Sequence, residues 1–251
     1  MAIHLDRRGA HVALITLDNQ PKRNAASRAD FAELGRIWDE LAADDTCRAI
    51  VLTGAGDKAF CAGADLSGDL TAGEEMSRLV HKGLQKYTIY RKPVIAAVNG
   101  DCIAGGIELM LASDIRLAAP HARFGVTEVK WGVYPFGGAT TKLQAQIGYV
   151  HAMELLMTGK LIPAEEAARI NLINRVVPAD SLLDECLALA ETIAGNSPAA
   201  VQAVKEQYST SAYLRDIGKE PLEQSLGDRV RQSPDFTEGV AAFLGKRKPN
   251  Y

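Results

Sequence analysis

The stretch "NGDCIAGGIELMLASDI" (Asn99 to Ile115) holds a turn, a glycine pair, one acid inside an apolar run, and the start of a strand. Just before it, "PVIAAVNG" (Pro93 to Gly100) is a short, continuously apolar segment closed by glycine. Just after it begins a second such segment, "SDIRLAA" (Ser113 to Ala119). Strands that do not alternate with polar residues are buried on both faces. A short helix between two of them, beginning near Gly106, is the crossover of a parallel sheet. Working outward, "RAIVLTG" (Arg48 to Gly54) and "HVALITLD" (His11 to Asp18) read as two more strands. Between those, Ser27 with Asp30 three residues on forms a helix start. The helix it opens carries Phe31, Leu34, Trp38 and Leu41 along one side. A further helical stretch is expected around Glu74 to Tyr90.

Beyond about residue 138 the pattern turns helical, in "TTKLQAQIG", "HAMELLMTG", "PAEEAARI" and "SLLDECLALAETIAG". One short strand, "INRVV" (Ile173 to Val177), interrupts it. Ser197-Pro198 and Ser233-Pro234 each put proline where a first helical turn accepts it. No internal repeat, low-complexity tract or long linker divides the chain.

The chain has 251 residues, 47% hydrophobic and 24% charged, with a formal net charge of -3. That balance lacks the basic face that nucleic acid requires. Cys47, Cys61, Cys102 and Cys186 lie far apart, without metal-ligand spacing, which argues against a zinc site or a disulfide framework and suits a reducing cytosol. "HVALITL" is too short for a signal h-region, and no apolar run approaches the roughly 18 residues of a membrane span. The expectation is a cytoplasmic protein with no metal and no resident cofactor.

Three segments after strands could carry chemistry, because ligands of α/β sheets sit beyond the carboxyl ends of strands. "TGAGDKAFCAGADL" (Thr53 to Leu66) opens with a degenerate GxGxxA pattern, but "FCAGADL" is a poor helix start and no acid follows at the ribose spacing. Its Ala62-Gly63-Ala64 turn better suits a cradle of backbone N–H groups. In "AGGIELM" the acid Glu108 stands in a first helical turn, where it either complements the dipole at the surface or faces a ligand. In "ARFGVTEVKWGVYPFGG" (Ala122 to Gly138), Glu128 follows a Phe124-Gly125 turn and precedes a constrained loop. By itself it could equally be a solvated carboxylate. Cys61 has no sequence-near base and reads as a packed thiol. Asp114 reads as an anchor of its strand start.

Together these segments resemble the crotonase (enoyl-CoA hydratase/isomerase) superfamily, in order over nearly the whole chain. The match runs from "PKRNA" (Pro21 to Ala25) through "FCAGADL", "NGDCIAGGIELMLASDI", "ARFGVTEVKWG" with "PFGG", and "MTGKLIPAEEAARINLINRVV" to "KRKPN". The resemblance implies an α/β spiral of ββα units over residues 1–190. A helical region over 191–251 would serve oligomerisation, as trimers or hexamers, and pocket closure. It implies an acyl-CoA substrate whose thioester oxygen is held by the backbone N–H groups of Ala64 and Gly105. Fixed donors of that kind act where negative charge develops, each worth about 10²–10³ in rate.

The hydratase branch has two glutamates, matching Glu108 and Glu128. Glu108 would activate water for attack on the β-carbon of a 2-enoyl thioester, and Glu128 would protonate the α-carbon. Two close carboxyls in a dry pocket do not both ionise at neutral pH, and the reaction needs one of each form. CoA would lie along Ala62, Gly63, Asp65 and Leu66, with Lys22 and Arg23 near its phosphates. Phe243 and Lys246 match a segment that reaches the CoA of a neighbouring subunit, though a solvated basic tail fits the residues equally well. The usual "PGxGG" loop is replaced by Pro135-Phe136-Gly137-Gly138-Ala139, so Tyr134 and Phe136 add bulk near the acyl pocket. The expected activity is 2-enoyl-CoA hydration. A Δ3,Δ2-isomerase, a hydrolase, another lyase, a non-catalytic acyl-CoA-binding paralogue and an NAD-dependent enzyme are the alternatives.

Overall fold

A computed structural model describes residues 1–67 and 74–251. In chain order, β1 (Ala2–Arg8) turns at Gly9 into β2 (Val12–Asp18), and α1 (Arg28–Ala43) follows. Then come β3 (Ala49–Gly54), β4 (Ala59–Cys61) and α2 (Glu74–Gly83), and next β5 (Val94–Val98), β6 (Asp101–Ile103) and α3 (Gly105–Met110). β7 (Ile115–Ala118) and β8 (Arg123–Gly125) lead to a 3-10 turn over Glu128–Trp131, α4 (Ala139–Ile147) and α5 (Tyr149–Thr158). β9 (Ile162–Pro163), α6 (Ala164–Arg169) and β10 (Arg175–Val176) precede the last helices. These are α7 (Leu182–Ala194), α8 (Pro198–Asp216), α9 (Glu220–Arg231) and α10 (Pro234–Leu244).

The apolar strands form a six-stranded sheet in the order β1-β2-β3-β5-β7-β10, parallel except for the β1 edge. Their continuous hydrophobicity resolves into two cores by simple alternation. Ala13, Ile15, Leu17, Ile50, Leu52, Ala96 and Val98 face the larger core with α1. Val12, Leu14, Ala49, Val51, Ile95 and Ala97 face a second core with Leu182, Cys186, Ala190 and Ala194 of α7. The sheet is therefore covered on both faces.

Ser27 caps α1 in a full capping box with Asp30, and Phe31, Leu34, Ile37, Trp38 and Leu41 are its buried face. Each such side chain contributes roughly 1.5–3 kcal/mol on burial. α1 packs closely on α2: the Trp38 Nε1–H donates to Gly83 O at 2.9 Å. A Cβ at Gly83 would lie 2.3 Å from Phe31 O, so only glycine permits this approach. The expected helix over residues 74 to 90 ends at Gly83, because Gln85 and Tyr87 take positive φ. Asp114 anchors its strand as expected: its carboxylate accepts from Val94 N at 2.8 Å.

The decisive feature is a second sheet, β4-β6-β8-β9, made of strands two or three residues long. β3, β5 and β7 of the large sheet are each followed by a strand of the small one, which is the ββα spiral expected. Phe124-Gly125 is therefore not a turn but the end of strand β8, paired with Cys102-Ile103 of β6. β4, β6 and β8 are parallel neighbours, so their carboxyl ends open on the same edge. Among the described residues no helix is long and apolar enough to cross a membrane.

Candidate active site

Residues 62–64, 104–105 and 126–128 leave the carboxyl ends of β4, β6 and β8 and meet at that edge. Two backbone donors come first. A Cβ on Gly63 would lie 2.8 Å from Gly105 N, and one on Gly105 would lie 3.5 Å from Ala64 N. The Ala64 and Gly105 amides are thus side by side, and among the described residues neither has a protein acceptor. Gly63 holds φ +92 and Ala104 φ +53. A non-glycine residue in the positive-φ region costs on the order of 1–3 kcal/mol and persists where its surroundings impose it. Here the imposed turn leaves the first N–H of α3 unbonded, while Ala104 N is tied to Gly125 O at 2.9 Å.

α3 has six residues, far below the length at which a helix stands alone, and packing holds it in place. A Cβ on Gly106 would lie 2.1 Å from Cys61 O, so the glycine pair lets the helix rest against β4. Cys61 itself is sealed, its thiol pushed up to about 11 by burial, and it acts as packing rather than as a nucleophile.

Glu108 and Glu128 are both buried, at 5% and 8% exposure, yet their surroundings differ. Glu108 Oε1 accepts from Ala139 N, the first residue of α4, at 3.2 Å. The backbone at Gly137 passes against Oε2, where a Cβ would come within 2.2 Å. Burial raises the Glu108 pKa, opposed by the Ala139 N–H, the Lys86 charge, the Gly137 N–H and the Lys142 charge. Glu128 Oε2 has no partner among the described residues. Burial pushes its pKa well up, and the Glu108 charge pushes it further. The pair feel each other, and their surroundings are unequal: the Ala139 and Gly137 N–H groups and the Lys86 and Lys142 charges favour an anion at Glu108, where Glu128 has its own backbone N–H.

The "PKRNA" segment lies along the Ala62–Asp65 turn: Ala62 N donates to Arg23 O, Ala26 N to Gly63 O, and Asp65 N to Ala26 O. Asn24 anchors it, buried at φ +56 and donating to Ala59 O at 2.7 Å. Lys22 and Arg23 are exposed beside this turn, Lys22 on Asp65 at 2.5 Å and Arg23 on Asp101 at 3.3 Å. Lys22 and Ser67 hold the Asp65 carboxyl down to about 2. Leu66 follows, partly buried.

Tyr134 and Phe136 are half-buried. The Phe136 ring stacks on His81 at 4.8 Å, with the Lys86 ammonium 4.6 Å from its centre. Its bulk is taken up between α2 and α9, where a Cβ on Gly227 would meet it at 3.1 Å. Phe243 packs edge-on against Trp131 of the same chain at 5.2 Å, and Lys246 is exposed beyond it. α10 thus lies over the 3-10 turn that carries Glu128.

His81, Lys86, Lys142 and Glu223 were invisible to sequence reasoning, since no motif or spacing links them. Burial brings His81 down to about 3, leaving its ring neutral. Burial lowers Lys142 to about 8, and its ammonium donates to Gln85 O at 3.1 Å. Among the described residues no three His, Cys, Asp or Glu side chains gather as a metal cluster.

The family model described as "Enoyl-CoA hydratase/isomerase" matches residues 7–251. Enoyl-CoA hydratase EchA19 of Mycobacterium tuberculosis is 37% identical over 254 residues, covering 98% of this chain and 95% of the relative. Carnitinyl-CoA dehydratase of Proteus mirabilis is 35% identical, covering 100% and 98%. Among solved structures, EchA1_1 of Mycobacterium paratuberculosis superposes with a TM-score of 0.91 at 36% identity, covering 99% and 97%.

Proposed function

Because the chain belongs to the enoyl-CoA hydratase/isomerase (crotonase) family, whose enzymes act on acyl-CoA thioesters, we propose that it is a hydro-lyase that adds water to a 2-enoyl-CoA. The observation that carries the reading is the unequal pair of buried carboxyls beside two unbonded backbone N–H groups. Glu108, ionised, takes a proton from water as its oxygen bonds to the β-carbon. The electron pair of the double bond shifts to the thioester oxygen, where the Ala64 and Gly105 N–H groups stabilise the enolate. Glu128 then gives its proton to the α-carbon, and the product is a 3-hydroxyacyl-CoA. Each positioned acid or base contributes about 10²–10⁴ in rate. The same residues run the reaction backwards as a dehydration, in keeping with the carnitinyl-CoA dehydratase among the relatives.

CoA lies along Ala62, Gly63, Asp65 and Leu66, with Lys22 and Arg23 toward its phosphates. Tyr134 and Phe136 border the acyl group. Phe243 and Lys246 close the CoA site, in a trimer or hexamer. The test is loss of the conjugated thioester absorbance on mixing purified protein with crotonyl-CoA and longer or branched enoyl-CoAs. Hydration sustains the reading. Double-bond migration without water uptake, thioester hydrolysis, or tight acyl-CoA binding without turnover overturns it.

A further inference from the structure

We infer that Lys86 and Glu223 form a clamp through which the C-terminal helices position Glu108, making both positioning residues of the site. This rests on the hydratase reading above, and it adds a requirement that the two glutamates alone do not contain.

The geometry runs through the segment Phe136–Thr140, which cradles Glu108 at its middle with the Gly137 backbone and the Ala139 N–H. Both ends of that segment are gripped. At one end the Lys86 ammonium donates to Phe136 O at 2.6 Å. At the other, the Thr140 hydroxyl donates to Glu223 Oε1. The two grips are one object, because Lys86 and Glu223 are paired at 3.1 Å with side chains 0% and 5% exposed. The Tyr87 hydroxyl donates to Glu223 Oε2, the oxygen that also pairs with Lys86. Glu223 lies on α9, so a helix far along the chain reaches into the cradle of the base. A buried ion pair is poor evidence for stability, since similar apolar residues often do as well. What this pair supplies is a fixed place for the cradle and a positive charge on the Glu108 side of the carboxyl pair.

The titratable groups around Glu108 are Lys86, Lys142 of α4, Glu128, and the Tyr134 phenol. Around the clamp stand His81, neutral, and Tyr87, with Asp216 and Glu220 at the junction of α8 and α9. Of the cations, Lys86 outweighs Lys142 in holding Glu108 ionised.

The test compares Lys86→Met, Lys86→Arg and Glu223→Gln in the full chain. The first readout needs no turnover: carbon-13 spectra of protein labelled at glutamate carboxyls, with Glu108 assigned by the signal lost in Glu108→Gln. Lys86→Met raises the Glu108 midpoint by about one unit, as expected for loss of a neighbouring opposite charge. Glu223→Gln, nearly isosteric, leaves Lys86 uncompensated and moves the midpoint down; it serves should Lys86→Met not fold. In kinetics Lys86→Met shifts the acid limb of kcat upward, with about tenfold lower rate on that limb and KM within about twofold. Lys86→Arg restores the profile. A Glu108 midpoint unmoved in the folded variants, or a change confined to KM, overturns the clamp. A wild-type protein inactive on every enoyl-CoA overturns the hydratase reading instead, and the carbon-13 titration still decides the clamp.

Discussion

Glu128→Gln should be nearly inactive, and its stability relative to wild type should rise with pH. The Glu128 carboxyl is buried, one oxygen is unpartnered, and its folded pKa is well above the ordinary 4.5. An acid with a raised folded pKa binds its proton more tightly folded than unfolded. Its stabilising effect is therefore complete below pH 4.5 and is lost as pH rises toward the folded value. Between pH 4.5 and pH 7 the loss has a ceiling of about 3 kcal/mol, at about 1.4 kcal/mol per pH unit. Glutamine has the same shape and no such dependence, but its amide N–H groups lack an acceptor there, which costs about 1–2 kcal/mol at any pH. Relative to wild type, the variant should gain stability on going from pH 4.5 to pH 7, within that ceiling. Urea unfolding followed by the fluorescence of Trp38 and Trp131 at both pH values measures this. The same protein should lose about 10²-fold or more in hydration rate. A stability difference between variant and wild type that is flat with pH would refute the assignment of Glu128 as the neutral acid.

Gly106→Ala should destabilise by several kcal/mol, because its Cβ would lie 2.1 Å from the Cys61 carbonyl and backbone must move; thermal denaturation reads this. Asn24→Ala should cost about 2 kcal/mol or more, since it strips hydrogen bonds from Ala55 O, Ala59 O and Asn19 N at a buried site; urea midpoints report it. Lys22→Ala and Arg23→Ala should each raise KM for an enoyl-CoA severalfold, leave kcat near wild type, and have little effect on a thioester truncated to pantetheine. Equal effects on both thioesters would remove the CoA-phosphate role.

Much of the frame was legible in the sequence because it rests on local signals. The apolar runs after Val12, Ala49, Val94 and Ile115 are long enough to announce themselves as buried strands. Ser27 with Asp30, and the Ser-Pro pairs before α8 and α10, mark helix starts through neighbours a few residues away. The resemblance implied the ββα spiral, but the residues themselves did not show the small sheet's strands, because Ala59–Cys61, Asp101–Ile103 and Arg123–Gly125 are too short to show a period and only their mutual pairing makes them strands. For the same reason Phe124-Gly125 read as a turn.

Glu108 and Glu128 could be singled out from the sequence, as could the small residues around Ala64 and Gly105, since each stands next to a strand end or glycine turn. The difference in their surroundings could not. It depends on Lys86, Lys142, the Ala139 N–H and an orphaned oxygen, groups that come from three separate parts of the chain. Hydrophobic pattern and capping act over a few residues and so are written locally. Burial, field and the clamp from Glu223 arise only when distant segments share one volume, so the tertiary structure alone sets the two carboxyls in unlike surroundings.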